Sequence, residues 1–223
     1  MSPLEKKSLF GLASLYAFRM IGLFMLLPVL SLYAEEYSGS TIILVGVALG
    51  VYGLTQGLFQ IPLGFLSDRF GRKPIIFIGM LIFFLGSIIA ATSETMWGLI
   101  AGRALQGVGA VASTIMALLS DLTTEQSRTK AMAVIGASIG VSFAVSLIVG
   151  PILANLWGLP GLFWLTAVLS ILGSLILFFL VPTPSVLRNN PESQAVPQMF
   201  SRLLKNRELL RLNFGIAVLH FSQ

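Results

Sequence analysis

The chain has 223 residues, of which 56% are apolar and 10% charged, with a net charge of +5. Soluble domains carry about a quarter charged residues, so this composition describes an integral membrane protein with almost no room for a soluble domain. There is no cysteine and a single histidine, His220, which excludes disulfides, cysteine metal sites and any metal or catalytic cluster; the cations lie in short segments between apolar runs, which fits orientation in a membrane better than nucleic-acid binding.

The first apolar run, Ser8 to Tyr33, is long enough to cross a bilayer core, which needs about 20 residues. Lys6 and Lys7 precede it as in a signal peptide. It is nevertheless too long for a signal core, contains Arg19 and lacks a small-residue cleavage site, so it reads as a retained helix 1, kinked by Pro28. Glu35 and Glu36 follow without a cation. Helix 2 is expected from Thr41 to Leu66. Its glycines Gly46, Gly50, Gly53 and Gly57 recur at helical spacing on one face, built for close packing. Gln56 and Gln60, four apart, share a face, and Tyr52 is near them.

Between helices 2 and 3 lies Gly64-Phe65-Leu66-Ser67-Asp68-Arg69-Phe70-Gly71-Arg72-Lys73, with four charged residues. Two apolar runs joined by so few polar residues make a helical hairpin, and three cations place its turn on the cytoplasmic side. Helix 3 is expected from Pro74 to Thr92, helix 4 from Trp97 to Leu119, helix 5 from Ala131 to Leu156 and helix 6 from Leu162 to Val181. Gly150-Pro151 should bend helix 5 near its outer end, and Trp157 to Gly161 should form a tight outer turn. Residues 183–212 read as a cytoplasmic linker with an amphipathic helix from Met199 to Leu212 on the anionic leaflet. Residues 213–223 read as the truncated start of a seventh span. Of 14 Lys and Arg, 12 fall in segments assigned inside: Lys6, Lys7, Arg69, Arg72, Lys73, Arg128, Lys130, Arg188, Arg202, Lys205, Arg207 and Arg211. Both ends of the six-helix unit, residues 1–182, are then cytoplasmic.

The decapeptide resembles the signature of the major facilitator superfamily, Gly-x-x-x-Asp-Arg-x-Gly-Arg-Lys, and matches it at Gly64, Asp68, Arg69, Gly71, Arg72 and Lys73. Arg103-Ala104-Leu105-Gln106-Gly107 resembles a second signature of the family, the helix-4 pattern Arg-x-x-Gln-Gly. In proton-coupled members that arginine is associated with proton transfer; otherwise it packs and orients the helix. Asp121 with Arg128 resembles the family's repeat of the first motif, and a charge relay from Asp68 through Arg72 to Asp121 competes with a solvated surface cluster. Gly150-Pro151 keeps the core of the antiporter signature Gly-Pro-x-x-Gly-Gly, but Ala154 and Asn155 replace its glycine pair, which weakens an antiporter assignment.

Arg19 falls near the bilayer middle, where a cation costs at least about 2.5 kcal/mol and faces the bundle interior or a water-filled cavity. It lines the substrate path, binds an anionic group, pairs with a carboxylate, or anchors helices through backbone carbonyls. No Asp or Glu lies deep in the six spans. A coupling acid therefore lies beyond residue 223, or the proton uses Asp68, Asp121, Glu35 or Glu36.

The resemblance implies an all-α fold of twelve helices in two halves, each with two inverted three-helix repeats and substrate bound between the halves. This chain supplies the N-terminal half, and a C-terminal six-helix half is the expected partner. The expected function is proton-coupled efflux of a small amphiphilic molecule across a bacterial inner membrane, driven by the proton gradient without a cofactor or metal. Arg19, Tyr16, Met20, Gln56, Gln60, Arg103, Gln106, Met116, Ser138 and Ser142 are the expected substrate and proton path. A six-helix membrane scaffold without transport is the alternative; an enzyme is not expected, since no nucleophile–base or metal set is present.

Overall fold

The computed structural model describes residues 1–33, 36–109, 111–183, 208 and 211. The chain divides into two compact units, Met1–Ser185 and Val186–Gln223. In the second, Glu208 and Arg211 are exposed helical residues; the rest of the expected linker helix and the seventh span lie outside the described residues. The first unit is helical throughout: α1 Pro3–Tyr33, α2 Ile42–Phe70, α3 Arg72–Thr92, α4 Met96–Val108, α5 Ala112–Asp121 and α6 Glu125–Phe179.

Lipid offers no partner to backbone N–H and C=O groups, so spanning segments close their hydrogen bonds within the helix. The ends are capped by short polar residues. Thr41 accepts from Leu44 N at 3.3 Å and Thr95 from Gly98 N at 3.2 Å, each satisfying an N–H of a first turn. Ser2 and Glu5 form a reciprocal capping box on α1. Glu5 also accepts from Thr124 N at 2.8 Å and Thr124 Oγ1 at 3.0 Å, so one carboxylate ties the starts of α1 and α6 together.

Among the described residues, five helical stretches are long and apolar enough to cross a bilayer. The 55 residues of α6 would measure about 82 Å at 1.5 Å per residue, far beyond a hydrocarbon core of about 30 Å. They double back instead. Along the first limb, the Ser142 and Ser146 hydroxyls lie 3.4 and 3.3 Å from Ala17 O and Ile21 O of α1, so the two segments run parallel. Along the second limb, Thr166 donates to Gly22 O and the end of the helix packs on Gly11, so this limb runs antiparallel to α1. The reversal occurs at Gly158, where φ is 67° and ψ −179°, a conformation that costs glycine little and other residues much. The tight turn expected from Trp157 to Gly161 is thus made by one non-helical residue. Gly150 and Pro151 keep helical backbone angles, since Gly158 is the break within α6.

Helix 4 departs from expectation the other way. It is broken into α4 and α5 between Val108 and Ala112. Gly109 there donates to Leu105 O and Gly107 O, closing α4, and sits against the Phe83 backbone of α3, where an added Cβ would lie 2.9 Å from Phe83 N. A run of small residues lets the backbones approach this closely, and the approach replaces the regular ladder.

Two apolar cores stack along the bundle. One gathers Met25, Leu26, Leu30, Tyr37, Met96, Leu99, Leu162 and Phe163; the other gathers Leu12, Leu15, Ile76, Met80, Ile115, Leu118, Ala131 and Leu177. Between them lies a belt of buried polar side chains from α1, α3, α4 and both limbs of α6: Arg19, Ser87, Arg103, Gln106, Ser142, Ser146, Thr166 and Ser170. At the Tyr37 end, Ser38 N donates to Glu94 O and Met96 N to Ser38 O, clasping two turns together. Burial, with a smaller contribution from Glu36, pushes the Tyr37 hydroxyl up to about 12.

The glycine face of α2 finds no partner within the first unit. A Cβ built at Gly46, Gly50, Gly53, Gly57 or Gly64 meets nothing within 4 Å. These residues do not pack against the rest of the first unit; they form an open strip, flanked by exposed Leu54, Leu58 and Ile61. Gly136 and Gly140 on α6 are open in the same way. The close packing built from glycine occurs instead between α3 and α4, where a Cβ on Gly102 would lie 2.7 Å from both Ala90 N and Gly86 O.

Candidate functional site

Two constellations carry the chemistry. The first is at the α2–α3 junction. Helix α2 continues through Asp68 and Arg69 to Phe70, and α3 begins at Arg72, so the motif turns on one residue, Gly71, with φ 95° and ψ 151°. A side chain would be strained in that conformation. Arg72, one turn after Asp68, forms an ion pair with it. The same guanidinium donates from Nε to Asp121 Oδ2 at 3.2 Å and from Nη1 to Ser67 Oγ at 2.8 Å, and Ser67 donates to Gly64 O at 2.7 Å. Arg72 therefore bridges carboxylates of α2 and α5, the three-residue arrangement expected for a relay. Lys73 Nζ donates to Val181 O at 2.7 Å, where the cation meets the partly negative end of α6. Arg69 lies over the Phe70 ring at 5.6 Å. Arg128 is half-buried, and its Nε has no partner.

The second constellation is the polar belt. Arg19, at 1% exposure, donates from Nη2 to Tyr52 Oη at 3.2 Å and lies 5.6 Å from the Phe83 ring centroid. Arg103, also 1% exposed, stacks on the Tyr52 ring at 4.8 Å, donates from Nη1 to Gln106 Oε1 at 3.0 Å and from Nε to Ala48 O at 3.4 Å. Gln106 passes a bond to Ser87 Oγ at 2.8 Å, and Ser87 donates to Phe83 O at 2.8 Å. The circuit closes, since the Phe83 ring lies beneath Arg19. Tyr52 thus joins both arginines, one at its hydroxyl and one on its face. Among the described residues neither arginine forms an ion pair, and Arg19 Nε, Arg19 Nη1 and Arg103 Nη2 have no hydrogen-bond partner.

The other expected path residues scatter around this belt. Tyr16 and Met20 are buried on α1 beside Arg19, Gln56 and Gln60 are half-buried on α2, and Met116 is half-buried on α5. Ser138 donates to Ile135 O at 2.7 Å and Ser142 to Ser138 O at 2.7 Å, so both are engaged with their own helix. Gly150 packs on the Met25 backbone and Pro151 is exposed. The sequence singled out both arginines but not their link. Tyr52 shares its stretch of α2 with the glutamines, and Phe83 and Ser87 carry no motif at all.

Residues 12–222 match the family model of the Major Facilitator Superfamily. The chain is 50% identical over 220 residues to the inner membrane transport protein YajR of Escherichia coli strain K12, covering 99% of this chain and 48% of that protein. It is 31% identical over 180 residues to the class B tetracycline resistance protein of Escherichia coli, covering 78% of this chain and 44% of that one. The crystal structure of the human organic anion transporter MFSD10 (TETRAN) superposes with a TM-score of 0.71 at 21% identity, over 83% of this chain and 50% of that chain, a likeness of fold. The chain spans about half the length of the curated relatives it matches. An all-helical bundle with the Asp68–Arg72–Asp121 junction at one end and a buried polar belt at mid-height belongs, with its sequence, to the major facilitator superfamily, a family of membrane transporters and not of enzymes.

Proposed function

We propose that this chain forms one half of a secondary transporter that moves a small amphiphilic molecule by alternating access, coupled to protons in the direction of efflux. The observation that carries the reading is the open strip on α2, where five glycines from Gly46 to Gly64 meet nothing within 4 Å. A helix in a bilayer gains close packing only where small residues meet another helix, so this strip fits a second six-helix half that closes against it and withdraws. Residues 1–182 are the half-bundle, with the N-terminus and the Asp68–Arg72–Asp121 cluster on the cytoplasmic side, as the cation asymmetry supports.

In this reading Gly64, Asp68, Arg69, Gly71, Arg72, Lys73, Asp121 and Arg128 govern closure at the cytoplasmic end. Arg103 with Gln106 lies on the proton path, where a buried cation lowers the affinity of a nearby acid for its proton. The test is transport by the full-length protein in proteoliposomes under an imposed proton gradient. Gradient-dependent movement of an amphiphilic compound, slowed by Arg103→Lys, supports the reading. Movement that ignores the gradient removes the coupling, and none across a broad compound set removes transport.

A further inference from the structure

We propose that the Arg19–Tyr52–Arg103 circuit is a binding site for a small monovalent anion, an inorganic ion or a carboxylate group. Each guanidinium is 1% exposed, and arginine is the side chain that carries a fixed positive charge in proteins. An isolated buried ion is costly unless paired or fully hydrogen-bonded, yet three nitrogens of these two side chains, Arg19 Nε, Arg19 Nη1 and Arg103 Nη2, are unspent. The partners that the circuit does supply are neutral: a phenol, an amide and one carbonyl at 3.4 Å. Neutral partners orient the two cations without cancelling their charge.

Like charges held through a single Tyr52 ring repel each other, and nothing within the circuit offsets this. No Asp or Glu occurs in the sequence between Glu5 and Glu35, Glu36 and Asp68, Asp68 and Glu94, or Glu94 and Asp121. A counter-charge at this depth must therefore come from outside α1 to α5. The surroundings select its size. Phe83, Ser87 and Gln106 are buried around the circuit, so an anion that enters it has to be small. Half-buried Gln56 stands one turn from Tyr52 on α2, so the circuit lies one side chain below the helix surface that borders the open strip.

The inference extends the transport reading at the same belt but is tested without transport. Purified full-length protein is titrated with sodium bromide or sodium formate against sodium gluconate at constant ionic strength, and the thermal midpoint is followed. A saturable rise with the small anions is expected. Saturation by bromide alone assigns an inorganic ion; saturation by formate as well assigns a site that accepts the carboxylate of a larger compound. Arg19→Gln and Arg103→Gln each weaken binding by about ten- to hundredfold, the worth of one charge-assisted hydrogen bond. Tyr52→Phe keeps both cations and frees a further nitrogen of Arg19, so binding persists in that variant even if an arginine variant fails to fold. The proposal is overturned if no small anion gives a saturable shift, if folded Arg19→Gln protein binds as the parent does, or if folded Tyr52→Phe protein loses binding.

Discussion

Gly64→Val separates what the bundle needs from what transport needs. A Cβ at Gly64 meets nothing within 4 Å, and the residue lies inside α2 with ordinary helical angles. Valine there adds no clash within the first unit. It also relieves the helix of glycine's flexibility, a gain of about 0.3–0.5 kcal/mol on the propensity scale. Thermal stability should therefore hold or rise slightly. If a second half closes over this point, the branched side chain intrudes only in the closed state, and overpacking there costs about 1–3 kcal/mol. A bias of that size shifts the ratio of closed to open states roughly 5- to 150-fold. The assay pairs the thermal midpoint with distance distributions between spin labels on the cytoplasmic ends of the two halves of the full-length protein. Unchanged stability, a population shift toward the cytoplasm-open state and slower transport are expected. A loss of stability above about 1 kcal/mol would show that the strip is not open as described. Unchanged distances and transport would refute the closure argument.

The neighbouring cluster makes a related prediction. Arg72→Lys keeps the charge but cannot reach Asp68, Asp121 and Ser67 together; stability should change by under about 1 kcal/mol, as for exposed pairs, while turnover falls, and unchanged turnover would reduce the cluster to a solvated turn. Gly102→Ala is the structural counterpart of Gly64→Val: its Cβ would lie 2.7 Å from backbone atoms of α3, so chemical denaturation should register a loss of about 1–3 kcal/mol, and a neutral result would show that α3 and α4 are not in this contact. Orientation is read by single cysteines in this cysteine-free background. Glu94→Cys and Trp157→Cys should react with an impermeant reagent added outside the cell and Gln126→Cys should not; the opposite pattern inverts the topology.

Much of the architecture was legible because the bilayer imposes simple rules. An apolar run of about 20 residues has few stable fates other than a helix: the first three runs correspond to α1, α2 and α3, the fourth to α4 with α5, and the fifth and sixth to the two limbs of α6. The junction motif was legible for a similar reason: Asp68 and Arg72 are one turn apart, so their pairing follows from helical spacing alone. Asp121 joins them from another helix, and there the resemblance to family motifs did what spacing could not. The breaks were only partly legible. The tight turn expected at Trp157 to Gly161 is where the chain reverses, and Gly158 alone absorbs the reversal. Helix 4 looked continuous because its glycines are tolerated in spans, and only contact with α3 shows why it breaks at Gly109.

What the sequence by itself determined is partition: which segments enter lipid, where they end, and which side chains are too polar to be there by default. Partition is a property of each residue's own transfer free energy, so it can be read locally. Which neighbour each helix face meets was decided only by the tertiary structure. In a bilayer, leucines toward lipid and leucines toward the core are equally apolar, so hydropathy carries little record of facing. The glycines of α2 and those of α3 and α4 are the same signal in the sequence, yet the first lie open and the second press backbone on backbone. Arg19 and Arg103 likewise read as two separate buried cations. They act as one feature only because Tyr52, from a third helix, stands between them.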